Sequence, residues 1–167
     1  LVLRRMELRE SISQLFRAEL ELRSANGLIV PEDVLGQAIT VHLTLPEGGD
    51  RHFHGYVSRF GQHGYDGQFA RYRAVVVPWL WFLGRTSDCR IFQDQNVPDI
   101  IKSIFREHGF TDFDESLGSG YQTFEYVVQY RETDLDFVCR LMEHEGIYFF
   151  FSHDKDKHVL VLADGYD

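Results

Sequence analysis

His52 and His54 are the side chains in this sequence whose type and spacing most directly suggest chemistry. Two residues apart on an extended strand, they point to one face, and an exposed pair of that kind can bind a divalent metal weakly. A small metal-dependent hydrolase would need further ligands, and no carboxylate or third histidine falls at a diagnostic spacing. A solvated strand face accounts for the pair more simply. Cys139 and His144 invite a Cys-His nucleophile, but a five-residue spacing does not share one helix face, and a histidine near a helix C-terminus is expected from the dipole alone. Asp134 with Asp136 reads as the first turn of a helix, where exposed N–H groups stabilise carboxylates. Asp112, Asp114 and Glu115 read as a solvated loop, because no glycine and distal glutamate complete a calcium site. No GxSxG, phosphate-binding Gly-rich loop or HExxH occurs. The expectation is therefore no catalytic residue, no cofactor and no metal.

The elements that would position these groups emerge from hydrophobic periodicity. From Gln14 to Arg23, Phe16, Ala18, Leu20 and Leu22 alternate with charged residues, which predicts a strand with one wet face. Ile39, Val41, Leu43 and Leu45 repeat the pattern, Pro46 to Asp50 supplies turn chemistry, and Arg51 to Phe60 completes a hairpin. Gly61 to Gly67 reads as a second turn-rich stretch leading into a strand over Phe69 to Val77. Up to about residue 80 the chain reads as an antiparallel meander, which in a protein of this size means a small barrel or curled sheet.

The period then becomes helical. Val97, Ile100, Ile101, Ile104 and Phe105 form a stripe, with Asn96 as N-cap, Asp99 three residues on and Gly109 as the stop. Thr111 to Gly120 reads as loop and Tyr121 to Tyr130 as extended. Thr133 caps a second helix that ends at Gly146, and Ile147 to Phe151 with His158 to Leu162 forms a closing hairpin. The fold class expected is α+β: an antiparallel β-barrel over residues 1–85, then a small α+β domain over residues 86–167.

The chain has 167 residues, enough for one domain or two small ones with a core that needs no staples. A net charge of -9 repels phosphate unless the positive side chains cluster, so nucleic acid and anionic membrane surfaces are poor partners. Cys89 and Cys139 lack metal-ligand spacing and are expected to be reduced and buried. The apolar runs Val75 to Leu83 and Ile147 to Phe151 are too short to cross a bilayer, and no cleavable signal opens the sequence. A start without Met, and an end at Ala163 to Asp167 directly after an apolar run, suggest a piece of something longer.

Pro78-Trp79-Leu80-Trp81-Phe82-Leu83 is a large apolar mass, read as a core strand or as a subunit interface, since obligate interfaces resemble cores cut in half. Trp79, Trp81 and Phe82 are its candidate contact residues. That segment, with Asp88 to Gln93 and Val97 to Ile101 after it, resembles the signature of VgrG proteins and Rhs-associated Vgr proteins. Leu15-Phe16-Arg17, Phe53-His54-Gly55 leading to Val57, and Gln129 to Asp134 running through Phe137 to Glu145-Gly146-Ile147-Tyr148 agree with it, in order, over nearly the whole chain.

The resemblance implies a head similar to a phage baseplate hub, in which small barrels from three subunits surround a channel. Two related barrels per subunit would give the pseudo-sixfold symmetry needed to sit on a hexameric Hcp tube. The implied partners are a homotrimer in the full-length protein, the Hcp tube and effector proteins, with no stable membrane insertion by this region. The implied location is the bacterial cytoplasm before firing, and then export by type VI secretion without a cleaved signal. This chain would cover the first barrel and part of an inserted α+β region, without the second barrel, OB-like domain or needle. The alternative is a phage-tail or tailocin hub with cell-wall binding or lytic activity.

Overall fold

The computed structural model describes residues 1–165; Tyr166 and Asp167, the last two residues of the Ala163 to Asp167 segment, lie outside the described residues. The chain divides into two compact units, Leu1–Pro78 with His153–His158, and Trp79–Ser152 with Val159 onward. The division falls seven residues before the 85/86 boundary expected from the sequence, because the Trp-rich segment packs into the second unit instead of closing the first.

The first unit is a five-stranded antiparallel sheet of β1 (Val2–Arg9), β2 (Arg17–Ser24), β3 (Ala38–Thr44), β4 (Asp50–Asp66) and β5 (Phe69–Val77), in the order β1-β2-β5-β4-β3. Alternation delivers β2, where Ala18 and Leu20 are buried, as is Phe16 just before the strand, while Arg17 and Glu19 face water. The two expected hairpins form, β3 with β4 and β4 with β5, but the meander is broken between β2 and β3. The connection over residues 25–37, with a 3-10 turn at Pro31–Asp33, carries the chain from β2 to the far edge, and β3, β4 and β5 return to pair with β2. β4 continues through the stretch expected to be a turn, because Gly64 at φ +88° lets a bulge form between Gln62 and Tyr65. The turn itself shrinks to Gly67 and Gln68.

Among the described residues the barrel expected over residues 1–85 does not close: β1 and β3 remain the two edges of an open, curled sheet. Closure needs enough tilted, staggered strands to bring first and last together, and five supply only part of the circumference. The inner face is filled by Phe16, Leu20, Val57, Phe60, Tyr72 and Val76, with Phe60 stacked on Tyr72 at 5.2 Å. Gly55 lies where a Cβ would come within 2.6 Å of Val76 Cγ1 and 2.9 Å of the Val77 carbonyl oxygen. That close approach explains the glycine of the Phe53-His54-Gly55 motif.

The second unit opens with a 3-10 turn at Trp79–Arg85, where a strand is one of the two expectations. Leu80 and Leu83 lie three apart, one 3-10 turn, and both are buried with Trp79. β6 (Ser87–Asn96) pairs antiparallel with β8 (Thr123–Thr133). α1 (Val97–Glu107) begins at Asn96, whose side chain accepts from Asp99 N, and α2 (Asp134–Glu145) begins at Thr133 in the same manner and ends on Gly146 in the left-handed conformation. β7 (Phe113–Ser116), inside the segment expected to be loop, runs parallel to β10 (His158–Ala163), which lies beside β9 (Tyr148–His153). Among the described residues no helix is long and apolar enough to cross a membrane.

Candidate functional site

β4 places His52 and His54 two residues apart as expected, but each is engaged differently. His52 lies opposite His42 of β3 and stacks on it at 4.9 Å, and His42 Nε2 is 2.8 Å from Asp50 Oδ1. His54 is 6% exposed, and its Nδ1 is 2.9 Å from Nδ1 of His158, which is 1% exposed. His153 completes the cluster: its Nδ1 is 3.2 Å from the His54 amide nitrogen and its Nε2 is 3.0 Å from Glu10 Oε1. With Nδ1 as acceptor, the His54 N–H donates to it and Nε2–H donates to the Glu10 carboxylate. Phe16 closes edge-on against His153 and His158.

The Nδ1-to-Nδ1 contact requires a lone pair on one ring, so His54 and His158 cannot both be charged. Burial, and after it the charges of His54 and His153, pushes His158 down to about 3, which keeps it neutral. Among the described residues no group of three His, Cys, Asp or Glu side chains is arranged to hold a metal ion. His153 and His158 read in the sequence only as turn and strand residues, and nothing local marks their link to β4.

The Cys139-His144 pair does not assemble. Burial, then Glu143 and Asp136, pushes the Cys139 thiol up to about 11, opposite to what an activated nucleophile needs. Cys89, expected to be buried, is exposed on β6, and Cys139 is half-buried. On a two-stranded ribbon only one face can be covered, and Cys89 lies on the other.

Asp134 does more than open a helix. It is 5% exposed, and its Oδ1 accepts from Gln129 Nε2 at 2.7 Å and Arg90 Nη2 at 3.0 Å. Its Oδ2 accepts from Thr86 Oγ1 at 2.8 Å and lies 2.7 Å from His108 Nε2. Burial raises the carboxyl's pKa, but the hydrogen bonds from Gln129, His108 and Thr86 and the Arg90 charge outweigh it and leave a net lowering. Gln129 Oε1 in turn accepts from Arg90 Nε at 2.7 Å. This network ties β6, β8 and α2 to His108, the residue that caps α1. In the acidic stretch, Glu115 pairs with Lys102 at 3.0 Å, and the Asp112 carbonyl accepts from Trp79 Nε1 at 3.3 Å.

Of the aromatic candidates, Trp79 is 1% exposed and packs on Phe105 at 4.9 Å and Phe110 at 4.8 Å. Trp81 and Phe82 are half-buried, with Arg85 4.1 Å over the Trp81 ring. The structure thus brings together neither of the two sequence-suggested chemistries. It offers instead an open sheet with a charged outer face and titratable clusters closed on themselves.

Residues 9–167 match the phage tail baseplate hub (GPD) model, and the chain belongs to that family. It is 54% identical over 166 residues to the type VI secretion system spike protein VgrG1c of Pseudomonas aeruginosa and 52% identical to VgrG1b of the same organism, covering 99% of this chain and 23% and 22% of those proteins. The chain thus spans about a quarter of the length of these curated relatives. Its fold matches the E. coli c3393 protein, described as a type VI secretion component structurally similar to T4 bacteriophage tail proteins gp27 and gp5. That match has a TM-score of 0.91 at 34% identity over 99% of this chain and 46% of that one. A Francisella PdpA-VgrG complex shares the fold at a TM-score of 0.66 and 15% identity over 97% of this chain and 28% of that one. The VgrG resemblance is therefore correct, and the chain has the fold of a structural spike and hub family.

Proposed function

We propose that this chain forms part of the head of a trimeric type VI secretion spike that seats on a hexameric Hcp tube and carries effector proteins across target membranes. The observation that supports this reading most is the match along 99% of the chain to a type VI secretion component at 34% identity. The tube wall closes when strands from outside residues 1–85 pair with the open edges β1 and β3, since an unpaired edge is a template for another strand. Trp81 and Phe82, half-buried and aromatic, are the contact residues we assign to a neighbouring subunit, with Trp79 holding the turn that carries them. Catalysis has no part in this region, and the protein leaves the cytoplasm by the secretion machine.

Light scattering tests the reading on this chain and on a version extended through the second barrel and needle that the resemblance implies. A trimer from the longer protein that pulls down Hcp rings supports it. A monomer at micromolar concentration, or failure to bind Hcp, removes it. The phage-tail alternative draws on the family's own description; peptidoglycan release by this chain would favour it over a purely structural spike head.

A further inference from the structure

Charge is distributed unevenly along this acidic chain. Residues 1–78 contain nine arginines, no lysine and nine acids, so the whole net charge of -9 belongs to residues 79–167. Strand register sorts the charges of the first unit further. Cross-strand partners share a face, and four successive rows on the outer face of β1, β2, β5 and β4 can be read from the pairing. Arg23 lies opposite Arg71; Arg5, Glu21 and Arg73 form the next row; Glu7, Glu19, Val75 and Arg59 make the third; Arg9 lies opposite Arg17.

The three glutamates on this face are already engaged. Glu7 accepts from Arg9 at 2.8 Å, Glu19 accepts from Arg17 at 3.1 Å, and Glu21 lies 3.6 Å from Arg73. Arg23 is left with Asp66 at 4.0 Å, and Arg59 and Arg71 have no acidic partner among the described residues. Two grooves cross the face, of about 260 Å³ beside Arg23, Arg71 and Arg73 with Glu21 and Asp66, and about 440 Å³ beside Arg5, Arg17 and Arg59 with Glu7, Glu19 and Glu21.

We propose that this face is a docking surface for a carboxylate-rich polypeptide segment of another protein, held by the guanidinium groups of Arg59 and Arg71 and by the outer rows around them. Arginine without lysine fits that ligand, because the planar fork binds carboxylates in bidentate fashion. Nucleic acid fits less well: a continuous phosphate chain would have to pass the carboxylates of Glu7, Glu19 and Glu21. A polypeptide places its acids discretely, at a strand spacing of about 6.6 Å for alternate residues, and can leave the glutamate positions opposite neutral side chains. The inference does not depend on a trimer, so its failure and that of the spike reading are separable.

The test is fluorescence anisotropy of a labelled polyglutamate peptide of about ten residues with the full chain, at about 10 mM salt, where charges act over roughly 30 Å, and at about 150 mM, where they act over roughly 8 Å. Binding should weaken at least tenfold in Arg59→Glu/Arg71→Glu and less than twofold in Arg131→Glu, which reverses an arginine in the second unit. Arg59→Gln/Arg71→Gln, which leaves the face without new repulsion, should lose an intermediate amount with an unchanged circular dichroism spectrum. Equal losses in the outer-face and Arg131 variants overturn the assignment. So does tighter binding of an oligothymidylate than of polyglutamate. A salt-sensitive increase in particle mass of the chain alone, abolished by the same substitutions, would assign the face to a second copy and likewise overturn it.

Discussion

The Nδ1 atoms of His54 and His158 lie 2.9 Å apart across 104 residues of sequence, inside a pocket closed by Phe16 and Tyr56. His158 titrates near 3 in the folded protein, against an ordinary value of 6.5. Above pH 6.5 the ring is neutral in folded and unfolded chains alike. Below it the unfolded chain takes up a proton that the folded one refuses, so stability falls as pH drops from 6.5 towards 3. Urea midpoints measured between pH 7 and pH 4 should decline more steeply in the native protein than in His158→Gln, which keeps a polar side chain but cannot charge. Parallel curves would mean that the cluster does not govern the acid limb.

Asp134→Asn should be among the most damaging single changes in the second unit. The substitution removes the charge that Arg90 and His108 face and turns an acceptor atom into a donor aimed at Thr86 or Gln129. Breaking one partner of a buried ion pair costs about 3–5 kcal/mol. Chemical denaturation reads this directly, and a loss below about 1 kcal/mol would show that the network contributes geometry without stability.

Two glycines of β4 separate close packing from mere strand propensity. Gly55→Ala drives a methyl group into Val76 and the Val77 carbonyl and should cost about 1–3 kcal/mol. Gly61→Ala meets nothing within 4 Å and should stay within about 0.5 kcal/mol of the native protein. Thermal melting of both variants checks the pair, and equal losses would contradict the packing explanation.

Local signals are the legible ones in this sequence. Asn96 with Asp99, Thr133 with Asp136, and Gly146 are contained within a few residues; both helices begin at these caps, and α2 ends on Gly146. β1 escapes detection because the bulge between Leu3 and Arg5 breaks the alternation, leaving Leu3, Met6 and Leu8 out of phase. β7 escapes because its partner, β10, lies more than forty residues away and parallel pairing leaves no turn to recognise. The Trp-rich segment admits a strand as one reading, since an apolar run alone does not distinguish a buried strand from a 3-10 turn. The titratable clusters are illegible for the same reason as β7: His54 with His158, and Arg90 with Asp134, are joined only by the folded topology.

The two cysteines should differ sharply in reactivity. Cys89 lies exposed on β6, whereas Cys139 sits half-buried on α2 with its thiol held at about 11 by burial, Glu143 and Asp136. The thiolate is the reactive form, so at pH 8 only about one in a thousand Cys139 side chains is ionised at any moment. Timed alkylation with iodoacetamide, read out by peptide mass spectrometry, should modify Cys89 first and Cys139 much more slowly. His144→Ala should leave the Cys139 rate unchanged, because a histidine that does not deprotonate the thiol cannot slow its alkylation by leaving. A marked drop in that rate would instead reinstate a working Cys-His pair on α2.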